Sequence, residues 1–224
     1  MEKSVGIASL PMLQGVSLLE ITILSKQFAN HEHSYAEGQY IVRQDETCNS
    51  LLSVIEGDIC IETSYYDDRF CMSEFVSSPH TIEPDVLYGI QRQYQSSYRA
   101  QSQCRVLACP KNIVSELMAS NVVFRLNYLN LLSTLASRRR QAFPSRPMPS
   151  LESRLTQFFF RLSTIPRGRK ELRTRMSDLA LFLGCTRSII SDSLHRMQML
   201  GVLNVRRGHI EIPDLERLMN NAFA

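Results

Sequence analysis

Residues 175 to 197 read Arg175-Met176-Ser177-Asp178-Leu179-Ala180-Leu181-Phe182-Leu183-Gly184-Cys185-Thr186-Arg187-Ser188-Ile189-Ile190-Ser191-Asp192-Ser193-Leu194-His195-Arg196-Met197, and this spacing predicts two short helices meeting at a corner. Ser177 can cap the first helix by accepting from its unpaired N–H groups, and Asp178 suits the positive end of the dipole. Gly184 ends that helix, because the tight turn requires a backbone that most side chains resist. Thr186 can cap the second. Ala180 is small enough for close approach at the corner, while Leu179, Leu183, Cys185 and Ile190 supply the interior. The pattern is a helix-turn-helix. Its second helix leaves Thr186, Arg187, Ser188, Ser191, Asp192 and His195 facing outward, and such polar side chains suit insertion into a DNA major groove.

Working outward, Val202-Leu203-Asn204-Val205, Arg206-Arg207-Gly208-His209 and Ile210-Glu211-Ile212 read as a β-hairpin with a basic tip, a wing placed to touch phosphates. Upstream, Leu151 to Leu162 reads as a helix with Leu155, Phe158, Phe159 and Leu162 on its core side, followed by a basic loop, Arg167-Gly168-Arg169-Lys170. Arg187 can reach guanine O6/N7 with two hydrogen bonds, or a phosphate. Arg173, Arg175, Arg206 and Arg207 are read as phosphate contacts, which position without specifying sequence. Charge segregates accordingly. Residues 1–145 carry 12 basic and 15 acidic side chains, net −3, whereas residues 146–224 carry 13 and 7, net +6. A cationic C-terminal third points to a polyanion partner, and with the motif that partner is double-stranded DNA.

The rest of the chain changes texture twice. From about Gly38 to Pro110, short runs such as Tyr40-Ile41-Val42, Leu51 to Ile55, Asp58 to Thr63 and Arg105 to Ala108 are punctuated by turn residues. That spacing predicts a β-sandwich or jelly-roll barrel. A short helix precedes it, marked by Leu18, Leu19, Ile21, Ile23, Leu24 and Phe28. From Lys111 to about Arg140 no Gly or Pro interrupts thirty residues, and Val122, Leu126, Leu129, Leu132 and Ala136 stack on one side of a helix. A helix of roughly 45 Å cannot bury that stripe on a small barrel, so the stripe is expected to be a homodimer seam. The alternative is a core helix folded along its own barrel. Three prolines in Phe143-Pro144-Ser145-Arg146-Pro147-Met148-Pro149-Ser150 forbid a continuous helix and mark a hinge.

The expected fold is therefore a two-domain α+β chain. It comprises a double-stranded β-helix (jelly-roll) sensor domain over residues 1–110, a long dimerisation helix over 111–142, a hinge over 143–150 and a winged helix-turn-helix over 151–224. The composition, 224 residues with 44% hydrophobic, is that of a globular chain and excludes disorder, collagen and disulfide scaffolds. No run of roughly 18 apolar residues spans a membrane and no signal sequence opens the chain, so a cytoplasmic protein is expected. Six cysteines (Cys48, Cys60, Cys71, Cys104, Cys109, Cys185) without a CxxC argue for reduced core residues rather than a zinc clip.

A roll, a long helix, a hinge and a winged reader in this order resemble the Crp/Fnr family of bacterial transcription regulators, over nearly the whole chain. Local matches are Tyr35 to Glu46 for the early roll turn, Val54 to Ile59 for the next hairpin, Tyr98-Arg99-Ala100 with Cys104 to Leu107 for the late strands, and Cys185 to Ser191 for the recognition helix. The resemblance implies a homodimer on a two-fold-related site, with an effector in the roll that shifts the DNA-binding geometry.

The departures bear on the effector. Cyclic-nucleotide-binding members carry a Gly-Glu pair and then an Arg-Ser or Arg-Thr in one loop. Here that loop reads Pro84-Asp85-Val86-Leu87-Tyr88-Gly89-Ile90-Gln91-Arg92-Gln93-Tyr94-Gln95-Ser96-Ser97-Tyr98, with Ile90 at the ribose-binding Glu position and Tyr94-Gln95 near the Arg-Ser position. A buried phosphate would be poorly compensated, so cyclic AMP is not expected to bind. Arg92 serves only if the loop is shifted. The remaining candidates for a pocket of another effector are Tyr88, Gly89, Ile90, Arg92, Gln95, Ser96 and Arg99. No cysteine precedes Cys48, so the iron-sulfur cluster of another branch is not expected either. In the recognition helix Ser188 and Asp192 replace the usual Glu and second Arg. Asp192 can accept from cytosine N4 or hold Arg196, and Ser193 occupies a normally apolar place.

Two rival readings use other residues of the roll. His31, His33 and Glu37 have the spacing of a cupin metal site, which would make the roll an enzyme. Alternatively the roll is only a dimerisation or protein-contact module, with RNA polymerase as the candidate partner, and the regulator is effector-independent. No GxSxG, P-loop or paired-carboxylate constellation supports other catalysis, and the chain is expected not to be an enzyme.

Overall fold

Period-two burial builds a roll from short antiparallel strands. In the computed structural model, which describes residues 6–141 and 150–222, one sheet has the order β1 (Glu32–Tyr35), β8 (Cys104–Pro110), β3 (Ser50–Glu56), β6 (His80–Ile82). Its central register pairs Leu52 with Ala108 on one side and Ile82 on the other. A second layer begins with β2 (Tyr40–Val42), β7 (Ser97–Ala100) and the start of β4 (Asp58–Tyr65). Val54, Ile59, Tyr98 and Val106 fill the interior. At the β3–β4 turn Gly57 has φ +97°, and a Cβ there would lie 2.5 Å from the Gln103 carbonyl, so only glycine fits. The roll opens earlier than its sequence suggests. Glu32–Tyr35 is an edge strand paired with β8, and its exposed polar residues hid the alternation.

The helix before the roll, α1 (Leu18–Phe28), starts with a capping box between Ser17 and Glu20. Ile21, Leu24 and Phe28 turn inward, while Leu18, Leu19 and Ile23 are exposed.

The uninterrupted thirty-residue helix does not form. It is two helices, α2 (Lys111–Ser120) and α3 (Val122–Gln141), separated by Asn121 in extended backbone (φ −117°, ψ 109°). Asn121 Oδ1 accepts from the Phe124 amide at 2.9 Å and so caps α3, a break that needs neither Gly nor Pro. Phe124 and Tyr128 of α3 are buried, and Tyr128 donates to the Pro84 carbonyl at 2.6 Å. On the rest of its surface Val122 (56%), Leu126 (54%) and Leu129 (46%) are exposed, Ala136 is exposed and Leu132 is half-buried.

The chain divides into two compact units, Met1–Cys60 with Val76–Ser137, and Ile61–Phe75 with Arg138–Ala224. In the second unit the strand order is β10 (Asn204–Arg206), β11 (His209–Ile212), β9 (Lys170–Thr174), β5 (Phe70–Ser77), β4. The hairpin tip from the roll sequence thus pairs with β9, setting Phe70 opposite Thr174 and Met72 opposite Leu172. Helices α4 (Leu151–Leu162), α5 (Met176–Leu183), α6 (Arg187–Met199) and α7 (Leu215–Ala222) complete the unit. Phe70, Phe158, Phe159, Leu172, Leu179, Ile190, Ile210 and Leu215 form its core, with the Phe70 ring 5.0 Å from Phe158.

The segment read as a basic loop is in part strand β9. Its alternation turns Lys170, Leu172 and Thr174 inward. Lys170 is fully buried, its Nζ 3.1 Å from the equally buried Glu74 carboxylate. Of the hinge, only Ser150 is described, where it caps α4 by accepting from Ser153 N; Phe143 to Pro149 lie outside the described residues. Cys48, Cys60, Cys104 and Cys109 are buried, and Cys71 and Cys185 half-buried. Among the described residues no helix is long and apolar enough to cross a membrane.

Candidate nucleic-acid interface

Helix α5 begins two residues earlier than its sequence suggests. Its N-cap is Arg175, no side chain caps it, and Ser177 lies within the first turn beside Asp178. Gly184 closes it in the left-handed conformation (φ 64°, ψ 40°). The Cys185 amide then bonds back to the Ala180 carbonyl at 3.0 Å, and the Arg154 guanidinium donates to the Leu183 carbonyl. Thr186 starts α6, its Oγ1 accepting from Ile189 N. Leu179, Ala180, Leu183 and Ile190 are buried at the corner.

That corner fixes which way α6 faces. Thr186, Arg187, Ser188, Ser191, Asp192 and His195 are all exposed. Ser193, the misfit at an apolar place, is buried but satisfied: its hydroxyl donates to Glu152 Oε1 at 2.7 Å, and Arg196 reaches the same oxygen from Nε at 3.0 Å. Burial works against the Glu152 charge, yet the bonds from Ser193 and Arg196 outweigh it and hold the carboxyl below its ordinary value. Arg196 is thus held by Glu152 rather than by Asp192, whose carboxylate stays on the outer face.

Beside α6 the wing turns at Arg207-Gly208, with Gly208 at φ 73° and Arg206 paired opposite His209. Gln198 of α6 accepts from Val205 N at 2.9 Å and ties the wing to the helix, a contact that nothing in the sequence signalled. Arg173, Arg175, Arg206 and Arg207 are exposed, and Arg173 also donates to Cys71 Sγ at 3.5 Å. Other basic residues are engaged internally. Arg169 pairs with Glu171 and Glu211 and stacks on Phe75, and Lys170 is buried on Glu74. The cationic surplus is therefore concentrated on β9, the start of α5, the start of α6 and the wing tip.

The effector candidates in the roll do not share one environment. Tyr88 hydroxyl lies 2.7 Å from Ser115 Oγ, its ring under Lys111 Nζ, and Ile90 is fully exposed. Gly89 donates its amide to Val86 O, the Arg92 carbonyl accepts from Cys48 N, and Arg99 stands opposite Tyr40 across β2 and β7. Gln95 N and Ser96 N both donate to the Glu83 carboxylate, at 2.7 and 3.0 Å, and Tyr98 hydroxyl donates to it at 3.3 Å. Burial pushes the Glu83 carboxyl above its ordinary value, and the nearby Asp85 adds to this while the Gln95 and Tyr98 bonds oppose it. Tyr94 is buried and donates to the Ser50 carbonyl. These residues do not fit a cyclic phosphate: Tyr94, near the Arg-Ser position, turns its hydroxyl to the Ser50 carbonyl, and a carboxylate already holds the two amides.

His31 is half-buried, and His33 and Glu37 are exposed. Among the described residues no group of three His, Cys, Asp or Glu side chains is placed to hold a metal ion.

Comparison with known proteins gives two family matches. A cyclic nucleotide-binding domain model matches residues 32–121, and a Crp-like helix-turn-helix domain model matches residues 153–220. The anaerobic regulatory protein of Haemophilus influenzae is 27% identical over 193 residues, covering 82% of this chain and 73% of that one. The protein of the same name from Pasteurella multocida is 24% identical over 189 residues, covering 82% and 68%. A solved transcriptional regulator of the Crp/Fnr family from Eubacterium rectale shares the fold, with a TM-score of 0.51 at 19% identity over 91% of this chain and 95% of that one. With a helix-turn-helix whose outer positions are exposed, a β-roll before it and both family models in that order, this chain belongs to the Crp/Fnr family of DNA-binding transcriptional regulators.

Proposed function

We propose that the chain acts as a homodimer on a two-fold-related DNA site, with one α6 helix of each copy in successive major grooves roughly 34 Å apart. The observation that carries this is the exposure of Thr186, Arg187, Ser188, Ser191, Asp192 and His195 on one helix beside Arg206 and Arg207 at the wing tip. Arg187 reads a base or clamps a phosphate. Arg173, Arg175, Arg206 and Arg207 hold phosphates and set the register.

The division of labour assigns residues 1–110 to a sensor roll, save the hairpin Ile61–Phe75 that packs in the second unit, with 111–142 for dimerisation, 143–150 as a hinge and 151–224 as the reader. The exposed Val122, Leu126 and Leu129, continued by Leu132 and Ala136, form the seam against a second copy. Any effector is something other than cyclic AMP and acts through its differential affinity for two arrangements of the hinge. The relatives named for anaerobic regulation suggest a physiological setting. The protein works in the cytoplasm, contacts RNA polymerase and catalyses no reaction.

Selection of bound duplexes from a random pool tests the reading. It should enrich two related half-sites one helical turn apart; a pool that never diverges from its starting composition would overturn it. Leu129→Glu tests the seam, and is expected to give monomers by sedimentation at low micromolar concentration where the unaltered chain is a dimer.

A further inference from the structure

We propose that the roll carries its own anion: the Glu83 carboxylate occupies the place in the 89–98 loop where a ligand phosphate would sit, and the roll accepts a free anion there only when that carboxylate is removed. This deepens the reading above, on which its regulatory meaning rests, but its test reads the roll and not DNA.

Three donors converge on one carboxylate. Gln95 N and Ser96 N are successive backbone amides, so their N–H groups form a concave nest of the kind that holds phosphate or sulfate, and Tyr98 hydroxyl adds a third donor. Among the described residues Glu83 makes these three hydrogen bonds and no ion pair, and the like charge of Asp85 acts on it. A carboxylate stapled into a fold by a cation is a different arrangement. Here the donors are backbone amides and a phenol, and the anion is what completes them.

Position adds to geometry. Gln95 follows Tyr94, the pair that stands near the phosphate-holding Arg-Ser of cyclic-nucleotide-binding members. The amides that Glu83 takes are therefore the ones a phosphate in that loop would need. Two anions cannot share the nest, because like charges a few ångströms apart repel strongly away from bulk water. Glu83 also sits at φ +34°, in the left-handed region, which shows how far the backbone is bent to deliver the carboxylate. The same turn leads into Pro84, whose carbonyl accepts from Tyr128 of α3. The internal anion thus fixes the turn on which the helix bearing Val122, Leu126 and Leu129 rests.

Titration of the full chain with inorganic phosphate and, separately, cyclic AMP tests this, following the Gln95 and Ser96 amide resonances and the melting temperature against a chloride control. For the unaltered chain, both amides should stay in place at millimolar anion and should instead follow the titration of the Glu83 carboxyl with pH. Glu83→Gly removes the carboxylate at a backbone position glycine prefers; its melting temperature should rise by about 3 °C at tenfold excess of phosphate over Kd, as mass action requires. Glu83→Gln, whose carbonyl still accepts from the amides, should gain no such response. Movement of the two amides in the unaltered chain with millimolar phosphate or cyclic AMP would overturn the proposal. So would a folded Glu83→Gly that ignores phosphate. Should that variant not fold, the unaltered chain's amide titration decides alone. A chain that fails to bind DNA would leave these results unaffected, so the two readings can fail separately.

Discussion

Two carboxylates, one in each unit, make the same kind of bond and serve different ends. Glu74 accepts from Thr164 N at 2.7 Å, Thr164 Oγ1 at 2.6 Å and Ile165 N at 3.0 Å, and it is paired with buried Lys170. Glu83 accepts from Gln95 N, Ser96 N and Tyr98 hydroxyl with no cation. In the reader unit the charge is neutralised internally, so Glu74 joins the hairpin Ile61–Phe75 to the α4–β9 connection and leaves the positive surface to Arg173, Arg175, Arg187, Arg206 and Arg207. In the roll the carboxylate is itself the anion. The difference teaches that a motif's donors do not reveal its ligand until the partner on the other side of the bond is known.

The largest effect should come from breaking the Glu74 staple. Glu74→Ala leaves a buried ammonium without its counter-charge, held only by the Arg167 carbonyl, and two amides unpaired, and should cost about 3–5 kcal/mol in denaturant unfolding. Glu74→Leu with Lys170→Met should recover most of that. A loss from Glu74→Ala below about 1 kcal/mol would remove the contrast with Glu83.

Next comes acid. Burial drops the His80 value to about 4, so this imidazole, stacked on Tyr98, is neutral in the fold. The unfolded chain takes up a proton below its ordinary 6.5 while the fold does not. Stability should therefore be fully present above that value, fall by roughly 3 kcal/mol as pH drops towards 4, and level off below. His80→Phe should flatten that slope in urea titrations taken across the window; an unchanged slope would show that another group carries it.

On the outer face of the reader, Arg187→Ala should cost about 1–3 kcal/mol at one base position if the side chain reads a base. Arg206→Ala should instead weaken all sequences alike and reduce the salt slope by about one. Equal loss on every duplex would assign Arg187 to phosphate. The smallest effect belongs to Asn121→Ala, which removes the α3 cap and should cost about 1 kcal/mol in thermal melting.

What could be read from sequence follows from how local the cause is. The Gly184 corner, the Thr186 cap and the outward positions of α6 are set by neighbours within a few residues, and the structure has them where the spacing puts them. The exceptions have distant partners. Lys170 looks like loop charge until Glu74, far away in the chain, is opposite it. Ser193 looks misplaced until Glu152 accepts the hydrogen bond of its hydroxyl. β1 is polar because it is an edge, and its pairing with β8 is long-range. The Asn121 break carried a weak local sign, an Asn three residues before an amide it can cap, but the apolar stripe running past it was the stronger signal. Glu83 could not be picked out at all, since its donors lie a dozen residues away in a loop of irregular backbone.

The most direct test of the account is methylation interference on a selected duplex. Guanine N7 methylation should block binding in two major-groove patches about ten base pairs apart on one face of the DNA. Interference confined to one patch, or to adenine N3 in the minor groove, would contradict a dimer that reads DNA with α6.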